Sequence, residues 1–354
     1  MGTDRYETYM MNYPGDAGTQ PRMQATPYRR PVLTSELETA RTATRTHYEV
    51  AVLIPCYNEA LTIGSVIRGF REALPYARIY VFDNNSKDDT ARIAAEAGAI
   101  VCYETLQGKG NVVRRMFRDV EADLYVMVDG DGTYDPRSAI DMIELAISGP
   151  YDMVNGVRVS EKGKPAYRTG HQFGNALLTG MVKFLFGNRI EDMLSGYKVF
   201  SRRYVKSFPS LSKGFEIETE LTVHALGLQM PISHMRTVYG GRPKGSHSKL
   251  NTYRDGRKIL LYILDLFRQE RPLLFFSLIS FFLTVAALAI SVPLAITYFQ
   301  TGLVPRFPTL FVTVSMLLLA CISFTSGLIL DTITRGRQET KMMNYLRVPA
   351  MRSE

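Results

Sequence analysis

Tyr125-Val-Met-Val-Asp-Gly-Asp-Gly-Thr-Tyr-Asp-Pro136 is an apolar run that stops at two aspartates one residue apart. The run reads as a buried strand with the acids at its end. Side chains alternate along a strand, so Asp129 and Asp131 are expected to face the same way, with Gly130 and Gly132 leaving the backbone free to bend around a ligand. Two carboxylates side by side repel unless a cation joins them. A hard divalent ion, Mg2+ or Mn2+, takes a few carboxylate oxygens and completes its shell with diphosphate oxygens, so the pair is a candidate metal and nucleotide site. A solvated Asp-Gly turn after a core strand would read the same way from this stretch alone, and the neighbouring segments decide between the two.

Upstream, Tyr48-Glu-Val-Ala-Val-Leu-Ile-Pro55 reads as a buried strand followed by a helix to about Leu74. Arg78 to Phe82 is the next strand, then come a helix through Glu96 and a short strand from Ile100 to Tyr103. Alternating strands and helices at this spacing predict a mainly parallel α/β sheet, which binds ligands beyond the carboxyl ends of its strands. Glu59, Asp83, Asp129 and Asp131 all fall at such ends.

Composition adds a second feature. Of 354 residues 46% are hydrophobic, and the excess lies near the C-terminus, where residues 273–299 and 309–331 are apolar enough and long enough to cross a bilayer. Their connection carries only Arg306. Arg254, Arg257, Lys258, Arg268 and Arg271 precede the pair, and Arg335, Arg337, Lys341 and Arg347 follow it. The positive-inside rule therefore places both flanks, the large domain and both termini on the cytoplasmic side of the inner (plasma) membrane, with a multi-pass hairpin between them. The net charge of +8 fits attraction to anionic headgroups, and no nucleic-acid motif offers another use for it. Residues 1–47 lack an apolar period and the apolar core of a signal peptide, so a disordered N-terminal tail is expected. Three cysteines without ligand spacing read as packing residues in a reducing compartment.

Four segments in order, Ile54-Pro-Cys-Tyr-Asn-Glu59, Val81-Phe-Asp-Asn-Asn-Ser-Lys-Asp-Asp-Thr90, Gly108-Lys-Gly110 and Asp129-Gly-Asp131, resemble the inverting family 2 glycosyltransferases of GT-A (Rossmann-like) fold. The resemblance covers about residues 50–228. It implies that Pro55, Tyr57, Glu59, Asp83, Lys109 and Gly130 surround a nucleotide sugar and that Asp129 and Asp131 hold Mg2+ or Mn2+ on its diphosphate. Asn84 and Asn85 depart from the frequent Asp-Asp-Gly-Ser of the second motif. Within the family the chain is similar to the polyprenyl-phosphate sugar synthases, whose basic loop is matched here by Arg158 and Arg168. Asp192 and Ser195 match the Asp-X-X-Ser-Gly segment, and Arg242, Ser248 and Lys249 lie in a Gly-rich basic loop like the family's Ser-Lys segment. That likeness implies catalytic roles for Asp131, Arg158, Arg168, Asp192 and Lys249, and donor contacts from Ser195, Arg242 and Ser248. Arginine suits diphosphate because its planar fork holds two oxygens and stays charged at any working pH.

The expected organisation is a tail at 1–47, a GT-A domain at 48–249, an amphipathic interfacial helix at 250–271, the two spans within 272–331 and a basic tail at 332–354. Residues 173–186 read either as a core helix or as a short interfacial helix beside the site, the latter preferred, and Glu216, Glu218 and Glu220 as acids at a helix start, pointing either into the site or at the helix dipole. The expected reaction transfers a hexose or hexose derivative from a nucleotide sugar, UDP first and GDP second, to polyprenyl phosphate. A processive synthase is disfavoured because its Gln-X-X-Arg-Trp motif needs a tryptophan and the chain has none. A protein or glycosylated-lipid acceptor, a non-catalytic nucleotide-sugar scaffold and a homo-oligomer all stay open.

Overall fold

The computed structural model describes residues 48–160, 180–241 apart from 181, 185, 186, 188 and 215, and 261–350 apart from 262, 263 and 305. Arg168, Arg242, Ser248, Lys249, the N-terminal 47 residues and most of the 173–186 and 250–271 segments lie outside them.

Seven strands form one sheet in the order β3-β2-β1-β4-β6-β5-β7. β1 (Val50–Cys56), β2 (Arg78–Asp83), β3 (Ile100–Tyr103) and β4 (Leu124–Met127) run parallel to one another, as the sequence pattern predicts. β5 (Met153–Ser160) and β7 (Ile232–Tyr239) are parallel to each other, and β6 (Lys198–Ser201) runs antiparallel between β4 and β5. The sequence reading missed β6 and β7: β6 is four residues long, and β7 mixes polar and apolar residues on a half-exposed edge.

β1 and β4 are almost wholly buried, which is why they read as continuous apolar runs rather than alternations. Ala51 and Leu53 face one layer, formed by α3 (Lys109–Asp119) and α6 (Ile217–Gly227). Val52 and Ile54 face the other, formed by α1 (Ile63–Ala73) and α4 (Ser138–Ser148). The short helices α2 (Thr90–Glu96) and α5 (Arg202–Ser207) follow β2 and β6. The chain winds outward from β1 to β3 and then returns to place β4 on the other side of β1. The crevice at their carboxyl ends is thus a topological switch point, the usual ligand site of an open α/β sheet.

Two long helices complete the chain, α7 (Pro272–Thr301) and α8 (Phe307–Arg347). Their most apolar stretches are only 6% and 11% buried. A core helix of a soluble protein would bury most of such a stretch, whereas here Phe281, Phe282, Val292, Phe311, Leu318 and Ile329 point outward. The helices pack on each other, with Gly327 set so close to Phe276 that a Cβ there would lie 3.0 Å from the phenylalanine's own. α8 continues well past Asp331, so residues 332–347 of the expected basic tail are helical. The described part of the expected amphipathic helix is helical at 264–270, with Leu266 in the core on one face of the sheet. Val182, from the short segment expected at the interface, also lies in that core, while Phe184 is exposed.

Candidate active site

The loops after β1 and β2 are tied together where both strands end. Pro55 sits within β1 opposite Phe82. Beyond the half-buried Tyr57, the Asn58 N–H donates to Ser86 Oγ at 2.9 Å and the Glu59 N–H to Thr90 Oγ1 at 2.8 Å. The Glu59 carbonyl then accepts from the Thr62 and Ile63 N–H groups and starts α1. Asp83 closes β2, only 4% exposed. Its Oδ2 accepts from the Ser86 N–H at 3.2 Å, whereas its Oδ1 is buried with no hydrogen-bond partner among the described residues. Asn84, the departure from the frequent motif, has a structural task. Its amide donates to the carbonyls of Glu104 and Leu106 at 3.0 and 2.8 Å, and its Oδ1 accepts from the Gly108 N–H at 2.7 Å. An aspartate there would lack the donor that orders the loop into α3.

β4 ends at Met127, so the alternation rule stops short of the two acids and the turn sets their directions. The Thr62 hydroxyl donates to the Gly130 carbonyl at 2.7 Å, and Gly132 has φ +72°. Asp131, 4% exposed, accepts through Oδ1 from the Thr133 N–H and hydroxyl at 3.2 and 2.6 Å. Asp129 faces the Ser195-Gly196 turn so closely that a Cβ on Gly196 would lie 2.1 Å from Asp129 Oδ2. A larger residue there would force the Asp129 carboxylate to move from its place beside Lys109.

Lys109, in the first turn of α3, donates to Asp129 Oδ1 at 2.6 Å and to Glu218 Oε1 at 2.5 Å. Of the three acids at the start of α6, only Glu218 reaches the site. Glu216 accepts from the Gly214 N–H, and Glu220 accepts from the Leu211 and Ser212 N–H groups. Residues 216 and 220 share a helix face, and 218 lies on another. That spacing was the available sign, but the sequence does not tell which face is inward. Burial pushes the Glu218 carboxyl up from its ordinary value, against the pull of Lys109. Burial opposes the charge on Lys109, and the attraction of Asp129 and Glu218 outweighs it, so that amine is raised.

The far wall comes from β5, β6 and the loop between them. Arg158 Nε and Nη2 each donate to Asp192 at 2.8 Å in a two-pronged pair, and the Arg158 backbone N–H donates to Oδ2 at 3.2 Å. Burial raises the Asp192 carboxyl, but hydrogen bonds and charge from Arg158 overcome this and hold it below the usual carboxylate range. The Arg158 guanidinium also lies 5.6 Å from the centre of the Tyr239 ring, which packs edge-on against Tyr134. The Tyr134 hydroxyl accepts from the Gly196 N–H at 2.9 Å and locks the Ser-Gly turn. Ser195 is fully buried within it. Lys198, absent from the sequence-based candidates, is fully buried and donates to Asn155 Oδ1. Burial pushes this amine down to about 8.

Among the described residues no three His, Cys, Asp or Glu side chains form a metal cage. An all-oxygen pair of carboxylates is still a sufficient protein contribution for Mg2+ or Mn2+ bound on a diphosphate, because phosphate and water oxygens supply the remaining positions. Asp129 and Asp131 would hold such an ion, and Lys109 already brings a positive charge onto Asp129.

Comparison with known proteins agrees with this geometry. The glycosyl transferase family 2 model matches residues 51–208. Glycosyltransferase AglJ of Haloferax volcanii is 34% identical over 70% of this chain and 81% of its own length. A dolichyl-phosphate hexose transferase of the same organism is 25% identical over 63% of this chain and 96% of its own. Among solved structures, glucosyl-3-phosphoglycerate synthase from Mycobacterium tuberculosis, in complex with Mn2+, UDP and phosphoglyceric acid, superposes with a TM-score of 0.54 at 22% identity, over 68% of this chain and 84% of that one. The seven-stranded sheet thus has GT-A relatives, and the two apolar helices beside it associate the enzyme with a membrane. The chain belongs to glycosyl transferase family 2 and is a glycosyltransferase.

Proposed function

We propose that the enzyme transfers a hexose, with inversion, from a UDP-sugar to a polyprenyl phosphate at the cytoplasmic face of the inner membrane. The observation that carries this reading is that the acid-rich crevice and the apolar helix pair belong to one packed unit, which brings a nucleotide-sugar site to the place where a lipid phosphate lies. The relative named a dolichyl-phosphate hexose transferase supports the acceptor class. The excess of basic residues on the flanks of the helix pair, against the single Arg306 between the helices, supports the orientation.

In this reading the uridine base or ribose supplies a donor to Asp83 Oδ1, the buried acceptor that the fold leaves unmet. Asp129 and Asp131 would hold a divalent ion, which would supply positive charge to the departing diphosphate. A phosphate oxygen of the lipid attacks the anomeric carbon as the bond from that carbon to the UDP oxygen breaks, and UDP leaves with the electron pair. The acceptor is already ionised and needs no base. That agrees with an Asp192 committed to Arg158, so Asp192 orients Arg158 toward phosphate oxygens. Arg168, Arg242, Ser248 and Lys249 are proposed to complete the phosphate contacts.

The test is transfer by the purified full chain in detergent, with Mn2+ or Mg2+, polyprenyl phosphate and radiolabelled UDP- and GDP-sugars. Metal-dependent label in one lipid product supports the reading and identifies the sugar. Binding of a nucleotide sugar without label in the organic phase would overturn the acceptor.

A further inference from the structure

The C-terminal end of α8 is fastened to the sheet domain at a point remote from the Asp129-Asp131 loop. The Tyr345 hydroxyl donates to Asp152 Oδ2 at 2.6 Å, across 193 residues of sequence. Asp152, 2% exposed, also accepts from Ser201 Oγ at 2.6 Å and from Arg203 Nε and Nη2 at 2.6 and 2.8 Å. The Arg203 guanidinium stacks 4.7 Å from the centre of the Tyr345 ring, and Tyr345 and Leu266 both belong to the domain core. A second fastening lies nearer the apolar stretch, where Thr334 Oγ1 and Arg337 Nη2 donate to the Gln269 carbonyl at 3.2 and 3.3 Å. A flexible leash would need neither contact.

The positions of these fastenings give them meaning. β5 is antiparallel to β6, and β6 is antiparallel to β4, so β5 points the same way as β4. Asp152 precedes β5 and lies at the end of the sheet opposite the Asp129-Asp131 loop, whereas Arg158 lies near the site. Six residues of strand separate Asp152 from Arg158, about 20 Å. Fourteen residues of helix separate Asp331, where the apolar stretch ends, from Tyr345, about 21 Å. The helix overhang is as long as the sheet is tall.

We infer that residues 332–347 are a strut that sets the height of the active site. By seating Tyr345 at the far end of the sheet, the strut holds the Asp129-Asp131 end level with the end of the apolar stretch, where an anionic lipid headgroup lies. Tyr345 and its seat at Asp152 are positioning residues, and the inference rests on the lipid-phosphate reading only for its benefit to catalysis. The full chain in nanodiscs tests it, with Cys102 and Cys321 replaced by serine and a fluorophore at Leu61→Cys. Leu61 is an exposed residue beside Thr62, whose hydroxyl holds the Gly130 carbonyl. Headgroup-nitroxide lipids are expected to quench the label when Tyr345 is intact and less in Tyr345→Ala. Absent quenching with Tyr345 intact, or unchanged quenching in the variant, overturns the strut. In the same discs Tyr345→Ala is expected to lose at least about tenfold in transfer to long-chain polyprenyl phosphate, while transfer to a short water-soluble prenyl phosphate stays within about twofold. Tyr345→Phe, which keeps the ring on Arg203, falls between. Equal losses with both acceptors also overturn the inference. Failure of the unmodified enzyme to use any prenyl phosphate would sink the proposed reaction, and the quenching result would still decide the strut.

Discussion

Asp83 and Asp192 are both buried carboxylates on the ligand-facing side of the sheet, and they differ in what the fold has already provided. Asp83, on the parallel half, has one oxygen bonded to a backbone N–H and the other buried without a partner among the described residues. Asp192, on the half turned by the antiparallel β6, holds both prongs of Arg158 and its backbone N–H. An unmet buried acceptor costs about 1–3 kcal/mol, a cost that the ligand contact proposed for Asp83 would offset. A saturated carboxylate does the opposite: it stabilises the fold and fixes the direction of its partner. In the proposed reading the parallel half waits for the nucleotide, and the antiparallel half holds its arginine in place beforehand. Asp129 stands between the two, sharing Lys109 with Glu218.

The largest expected effect falls on the boundary between the halves. Asp131→Ala should lower metal-dependent turnover by about a thousandfold, the scale of losing one group that stabilises charge in the transition state. The protein should stay folded by circular dichroism, and normal turnover in the variant would remove Asp131 from the metal site.

Next is the saturated pair. Arg158→Ala strands a buried carboxylate and should cost about 3–5 kcal/mol of stability, read as a fall in denaturation midpoint. Arg158→Lys should recover only part of this, because an ammonium cannot make the two parallel bonds. A variant as stable as the parent would show that the pair is not structural.

Asp83→Asn should separate the halves further. The donor KM should rise about tenfold, the scale of one hydrogen bond to a charged group, with no loss of melting temperature. A lowered melting temperature with an unchanged KM would reverse the comparison.

The smallest effect at neutral pH concerns Lys198, whose amine falls from its ordinary 10.5 to about 8 through burial. Between those values the unfolded chain holds more protons on this group than the folded one, so its contribution makes stability rise with pH across that window. Below the folded value it adds no slope. Lys198→Met should flatten the rise in denaturation midpoint between about pH 8 and 10.5, and an unchanged slope would place the buried charge elsewhere.

Much of the parallel half was legible from sequence because its signals are local. An apolar run ended by acids or a proline-tyrosine turn marks a buried strand and its ligand loop, and the Ile100–Tyr103 strand was read with its observed limits. The role of Asn84 was not legible, since its partners are backbone groups 20 and 22 residues away. Glu218 was seen as one of three alternating acids, but which one turns inward depends on what α6 packs against. Lys198 passed unnoticed because nothing local marks a lysine that will be fully buried.

The sequence by itself determined the α/β alternation, the order of the acidic loops and the two apolar helices, because each follows from short-range periodicity and the solvent a segment can tolerate. Tertiary structure alone decided which carboxylate stays unmet, which lysine bridges Asp129 to Glu218, and that Tyr345 returns to Asp152. Those outcomes depend on the packing of segments far apart in the chain, where burial makes one hydrogen bond decisive and no local pattern records the partner.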